Sequence, residues 1–263
     1  MKLALNPRVA ELEESATLKI NQTAKRMREA GEDLCHLGFG ESPFPVPELL
    51  QQALRENTHH KSYLPGPGLP ELREAVAGFF RKEFGYDAAM ERVFVGPGSK
   101  ELLFDLLYLL EGPLLVPAPS WVSYGPQARM LGKPVQPIPT LRENRYRLQA
   151  EELERACQES GSGQKLLILT NPSNPTGSVH HAQELQELAE VCRRHQVVVI
   201  ADEIYALVNF SERPFVGMAT LYPEGTVVTS GLSKAFSAGG WRLGVALLPE
   251  AMSELLQPWG ALV

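Results

Sequence analysis

The feature that most narrows the choice of fold is an alternation. Short apolar runs, at residues 114–116 (LLV), 165–170 (KLLILT, charged only at its first residue), 197–200 (VVVI) and 226–229 (TVVT), alternate with longer segments whose apolar residues recur at helical spacing. An uncharged run of four to six residues suits a strand covered on both faces. The segment from Leu69 has Leu72, Val76, Phe79 and Phe80 on one helical face, and the one from Gln183 to His195 has Leu185, Leu188, Val191 and Cys192. Strands separated by such helices predict a mostly parallel, doubly wound α/β sheet. A chain of 263 residues is long enough for one large domain of this kind or two modest ones.

Further helices are predicted near Leu18 to Ala30, from Pro47 to Asn57, from about Ser99, and from Glu151 to Glu159. A short strand is predicted over Arg92 to Val95, and another near residues 134–138. The intervening APSWVSYGPQARMLG reads as a loop. Gly40 lies in the proline-rich crossing loop 37–50, where a glycine lets a backbone approach a ligand closely. Tyr63 heads the stiff loop YLPGPG.

In a sheet of this kind the strand ends on the carboxyl side converge on one crevice. Asn174 follows KLLILT, held in the rigid NPSNPTG; Asp202 and Tyr205 follow VVVI; Lys234 follows TVVT. A lysine among Ser233, Ala235, Phe236 and glycines suits an amine that condenses with an aldehyde cofactor, and equally a lysine at the mouth of a loop. Arg242, eight residues on, is a guanidinium suited to a phosphate dianion. An amine for an aldehyde and a guanidinium for a phosphate are what pyridoxal 5′-phosphate requires. Gly98-Ser99-Lys100 joins a short strand to a helix N-terminus, a second anion-binding arrangement. Trp121 and Tyr124 follow the strand at 114–116, as ring-stacking aromatics or as core.

These motifs in this order, NPSNPTG, ADEIY and SGLSK followed by GGWRLG, resemble the class I/II aminotransferases of the fold-type I pyridoxal-phosphate superfamily. The resemblance runs from LGFGESPF and YLPGPGLPELREA to the last strand. It implies a three-layer α/β/α large domain whose seven-stranded sheet is mostly parallel, the last strand being antiparallel. It also implies transamination between an L-amino acid and a 2-oxo acid. Lys234 then matches the Schiff-base lysine that also moves the α-proton, and Asp202 the partner of the pyridine nitrogen. Asn174 and Tyr205 match the donors to the ring oxygen, and Arg242 with Gly98, Ser99 and Lys100 the phosphate clamp. Trp121 matches the stacking aromatic and Gly40 the glycine near the substrate carboxylate. Trp121 and Asn174 also count as substrate contacts. Tyr63 matches a tyrosine that reaches the phosphate of a neighbouring subunit, so a homodimer is implied. Gly231 stands where many members have a phosphate-binding serine. The same motifs occur in β-eliminating lyases and cyclopropane-forming synthases of this fold.

The resemblance divides the chain into a small-domain segment (1–42), a large cofactor domain (43–250) and the start of a linker helix (251–263). The remainder of the family's small domain, with its carboxylate-binding arginine, has no counterpart. A chain truncated there, binding cofactor without turnover, is a third expectation, and the tail Leu255-Leu256 and Trp259 to Val263 is then expected to be bare. The net charge of −6, without a basic run, gives no reason to expect nucleic acid. No apolar segment reaches membrane-span length. The N-terminus turns acidic too soon for a signal peptide, and three scattered cysteines suit a reducing, cytoplasmic setting. His59-His60 and His180-His181 lack ligand spacing, so no metal is expected.

Overall fold

The computed structural model describes residues 3–262, apart from 5, 11–15, 36 and 39. It divides into two units, Met1–Pro45 and Val46–Val263. The first holds α1 (Pro7–Ala10) and α2 (Ala16–Glu29). Gly31, with φ 84°, follows α2, as expected of a stop residue.

The second unit is built on one seven-stranded sheet: β1 (Val93–Gly96), β2 (Leu114–Ala118), β3 (Val135–Pro139), β4 (Lys165–Thr170), β5 (Val197–Asp202), β6 (Thr226–Gly231) and β7 (Gly244–Leu247). The spatial order is β1-β7-β6-β5-β4-β2-β3. Strands β2 to β6 pair in parallel, and β7 runs antiparallel between β1 and β6. β4 and β5 are buried along their whole length, the consequence of central runs free of exposed-side polar residues.

Helices cover both faces: α3 (Glu48–Asn57), α4 (Pro70–Phe84), α5 (Ser99–Leu109), α6 (Tyr124–Met130), α7 (Ala150–Glu159), α8 (Ala182–His195), α9 (Met218–Leu221) and α10 (Leu256–Gly260). Side chains alternate along a strand, so each strand feeds two cores. Ile168, Val198, Ile200 and Val227 pack with Leu102, Leu106 and Tyr124 of α5 and α6. Leu167, Val197, Val199 and Ala201 pack on the other face with Leu153, Leu185 and Leu188 of α7 and α8. α7 and α8 each begin with a reciprocal capping box, Gln149 with Glu152 and His181 with Glu184. Among the described residues no helix is long and apolar enough to cross a membrane.

Two expectations are corrected. The stretch after β2 is not all loop, because α6 starts at Tyr124. Its Gly125 and Pro126 lie in the first turn, where a missing N–H leaves no bond unmade. Nor is the C-terminal apolar segment bare. Leu256 and Trp259 are buried, and Trp259 stacks on Phe94 at 4.1 Å and 6° while its indole N–H donates to Asp105 Oδ2 at 2.9 Å. Leu262 remains half exposed, and Val263 lies outside the described residues.

Candidate active site

The crevice lies where the connections reverse. From β2 the chain passes to β3 on one side, and from β4 to β5 on the other. This is the switch point at which open α/β sheets bind ligands. The loops after β2 and β4 carry Trp121 and Asn174.

Asp202 ends β5, level in register with Thr170 of β4 and Thr229 of β6. It is 4% exposed. Its Oδ2 accepts a hydrogen bond from the Tyr124 hydroxyl at 2.6 Å, and its Oδ1 from the Ile204 N–H at 3.4 Å. Burial pushes this carboxyl above the ordinary range; the Tyr124 hydroxyl, the Ile204 N–H and the charge of Lys234 pull it back. Asn174 Nδ2 donates to the Tyr205 hydroxyl at 3.4 Å, and Lys234 Nζ lies 5.8 Å from the centre of the Tyr205 ring. Burial and the Asp202 charge raise the Tyr205 phenol, and the Asn174 amide opposes them. Four of the residues expected at the site, Asn174, Asp202, Tyr205 and Lys234, therefore act on one another across three strand ends.

A second corner gathers positive potential. Gly98, with φ 98°, precedes α5, whose first turn has no side-chain cap. That turn, at Ser99 and Lys100, leaves N–H groups without intrahelical partners. The Arg242 guanidinium sits directly against it, since a Cβ on Gly98 would fall 2.2 Å from Arg242 Nη2. Arg242 is fixed by its own αL backbone (φ 55°) and by Nη1 donating to Gly239 O at 2.7 Å. Gly244 is equally constrained, for its Cβ would lie 2.5 Å from Ser99 N. The glycine at 231 also has a packing reason: a Cβ there would meet Leu243 O at 2.6 Å, where β6 and β7 close together.

Trp121 connects the two corners. Lys100 Nζ is 5.7 Å from its ring centre, and its ring meets Tyr124 edge to face at 5.2 Å. Two expected residues are not among these contacts. Tyr63 is fully exposed, and Gly40 is an exposed residue of the N-terminal unit.

Of the two readings of Tyr124, stacking aromatic or core, the structure shows core, and its bond to Asp202 was not foreseen. It is 1% exposed, and its hydroxyl is spent on Asp202 and Thr170. The available signal was its spacing, three residues after Trp121, which puts both on one side of a helical turn. Glu203 was also unassigned. It projects to the opposite face of the sheet, where Tyr86 donates to its Oε2 at 2.6 Å.

A buried carboxylate, a phenol with an amide, a lysine amine and an anion-binding corner suit a flat ligand with a protonated nitrogen, an anionic oxygen, a carbonyl and a phosphate. Known proteins agree. The family model described as aminotransferase class I and II matches residues 32–262. An aspartate aminotransferase of Geobacillus stearothermophilus is 38% identical over 97% of this chain and 67% of its own length. One from Bacillus subtilis is 36% identical over 94% of this chain and 63% of its own. The solved structure of Thermus thermophilus aspartate aminotransferase with maleate superposes with a TM-score of 0.91 at 33% identity, covering 99% of this chain and 68% of that one. The chain thus spans about two thirds of the length of these relatives. It belongs to the class I and II aminotransferases, a pyridoxal 5′-phosphate-dependent family, and has that family's α/β/α fold.

Proposed function

We propose that this chain carries the cofactor-holding part of a transaminase that moves an amino group from an L-amino acid to a 2-oxo acid, with aspartate the first donor to test. The observation that carries the reading is the meeting of Asp202, Lys234, Tyr205 and Asn174 at the strand ends, beside the Arg242 corner. The relatives named aspartate aminotransferases supply the choice of donor.

The residues fit pyridoxal 5′-phosphate by the chemistry of their donors. When bound, that cofactor supplies an aldehyde that takes up an amino group and a ring that accepts the electron pair left when an α-proton departs. Asp202 balances a protonated ring nitrogen from its buried position. Asn174 and Tyr205 would donate to the ring oxygen. Arg242 and the turn of Gly98, Ser99 and Lys100 hold the phosphate. Trp121 would stack on the ring, and it would contact substrate with Asn174. Lys234 Nζ would hold the cofactor through its aldehyde and would move the substrate's α-proton.

In the same reading residues 1–42 belong to a small domain, 43–250 form the cofactor domain, and 251–263 begin a linker. Tyr63, fully exposed in one chain, serves the site of a second copy in a homodimer. Free cysteines support a cytoplasmic setting. The test mixes the protein with the cofactor, L-aspartate and a 2-oxo acid and follows oxaloacetate formation. Lys234→Ala is expected to abolish both turnover and the visible absorbance of the bound cofactor; an unchanged spectrum refutes the assignment of Lys234.

A further inference from the structure

A carboxylate can only accept hydrogen bonds, so the Tyr124 hydroxyl hydrogen is committed to Asp202 Oδ2 at 2.6 Å. The same phenolic oxygen lies 2.7 Å from Thr170 Oγ1. With its own hydrogen already used, it accepts there, and Thr170 donates. The polarity of the chain Thr170 to Tyr124 to Asp202 is therefore fixed by the charge at its end. The sheet builds this relay, because Thr170 and Asp202 are register partners on adjacent parallel strands. Tyr124 is buried in the core cluster that also holds Ile168, Ile200 and Leu102, where close packing restricts its ring.

We infer that Tyr124 is a positioning residue for the reaction: through a hydroxyl set by Thr170 it holds the Asp202 carboxylate in one orientation and in its charged form, ready to face a protonated ring nitrogen. The inference rests on the reading of Asp202 as the partner of that nitrogen. The Ile204 N–H contact at 3.4 Å is long, so the short phenol bond dominates the orientation. The other groups acting on Asp202 are Lys234, whose positive charge favours the carboxylate, and the Tyr205 phenol. Glu203, next in the chain, faces the other side of the sheet and is held by Tyr86.

The experiment compares wild type, Tyr124→Phe, Asp202→Asn and the double variant. Phenylalanine keeps the packing and removes only the hydroxyl. Carbon-13 titration of the Asp202 carboxyl in the cofactor-free protein is expected to show its midpoint about one pH unit higher in Tyr124→Phe, the equivalent of about a tenfold change. Cofactor affinity, read from absorbance titration, is expected to fall about tenfold in Tyr124→Phe. In the Asp202→Asn background the same substitution is expected to change affinity by less than about twofold. An unmoved carboxyl midpoint, or a loss that is additive with Asp202→Asn, overturns the inference. Thr170→Val leaves Tyr124 intact and provides a second route, with a smaller shift in the same direction expected; no shift there removes Thr170 from the relay. A wild-type chain that binds no cofactor refutes the transaminase reading, and the cofactor-free titration still decides whether Tyr124 governs Asp202.

Discussion

Substituting Glu203 by glutamine is expected to change how stability responds to pH. Glu203 is 2% exposed, between the Tyr86 hydroxyl and the backbone of Gly217. The fit is close, since a Cβ on Gly217 would overlap the Tyr86 hydroxyl at 1.6 Å and approach Glu203 Oε1 to 2.5 Å. Burial pushes this carboxyl from an ordinary 4.5 up to about 8, and the Asp202 charge adds to the push, while Tyr86 and the Met218 N–H oppose it. Between those two pH values the native protein holds a proton that the unfolded chain has released. The native state then binds more protons than the unfolded one, so stability falls as pH rises through this window. At about 1.4 kcal/mol for each tenfold change in proton affinity, the full loss is on the order of 5 kcal/mol.

Glutamine cannot ionise and escapes that loss. At pH 5 the variant is expected to be no more stable than wild type, because its amide replaces an acid that already fits. By pH 8 the difference between the two is expected to have moved several kcal/mol in the variant's favour, about 4 by the slope above. The assay is urea unfolding of the cofactor-free protein at half-unit steps from about pH 5 to 8.5, followed by tryptophan fluorescence. Contributions from groups common to both proteins cancel in the difference. Parallel stability curves for the two proteins would refute the reasoning, because they would mean that Glu203 is ionised throughout.

The other predictions concern the anion corner and the C-terminal segment. Gly98→Ala places a Cβ 2.2 Å from Arg242 Nη2 at a backbone of φ 98° and ψ 154°, a region populated almost only by glycine. It is expected to weaken pyridoxal 5′-phosphate binding by about tenfold or more while leaving pyridoxal, which lacks the phosphate, within about twofold; equal losses for both ligands would contradict the placing of the phosphate. Trp259→Ala removes a fully buried ring stacked on Phe94 and the indole donor of Asp105. A cost of about 3–5 kcal/mol in unfolding free energy is expected, and less than about 1 kcal/mol would show that the segment is not part of the core.

The strands were open to reading where burial is two-sided, because the interiors of β4 and β5 carry no charge, Lys165 and Asp202 standing at their ends. The antiparallel β7 came with the resemblance, since GVAL by itself carries no sign of direction. α6 was hidden because Gly125 and Pro126 read as breakers, and a proline in a first turn is compatible with a helix. Trp259 was misjudged for a different reason. Its partners Phe94 and Asp105 lie more than 150 residues earlier in the chain, and local periodicity is blind to such pairings. The strand-end residues Asn174, Asp202 and Lys234 were within reach because the topology of a parallel sheet places them together. The relay behind them depends on the rotamer of one tyrosine.

Asp202 and Glu203 show how far that limit extends. They are adjacent carboxylates at the end of one strand, equally buried, and composition cannot tell them apart. The pleat sends them to opposite faces. On one face Asp202 meets a committed hydroxyl and the charge of Lys234, both of which favour its ionised form. On the other, Glu203 is boxed in by Tyr86 and Gly217, with no cation among the groups acting on it, and stays protonated near neutrality. Burial raises both carboxyls, and repulsion from Asp202 adds to the push on Glu203, so ionisation of one opposes ionisation of the other. Neutralising position 202 is therefore expected to lower the Glu203 midpoint and to flatten the pH dependence that the glutamine variant would otherwise remove. Unchanged Glu203 linkage in Asp202→Asn would mean that the two carboxyls do not sense each other through the strand.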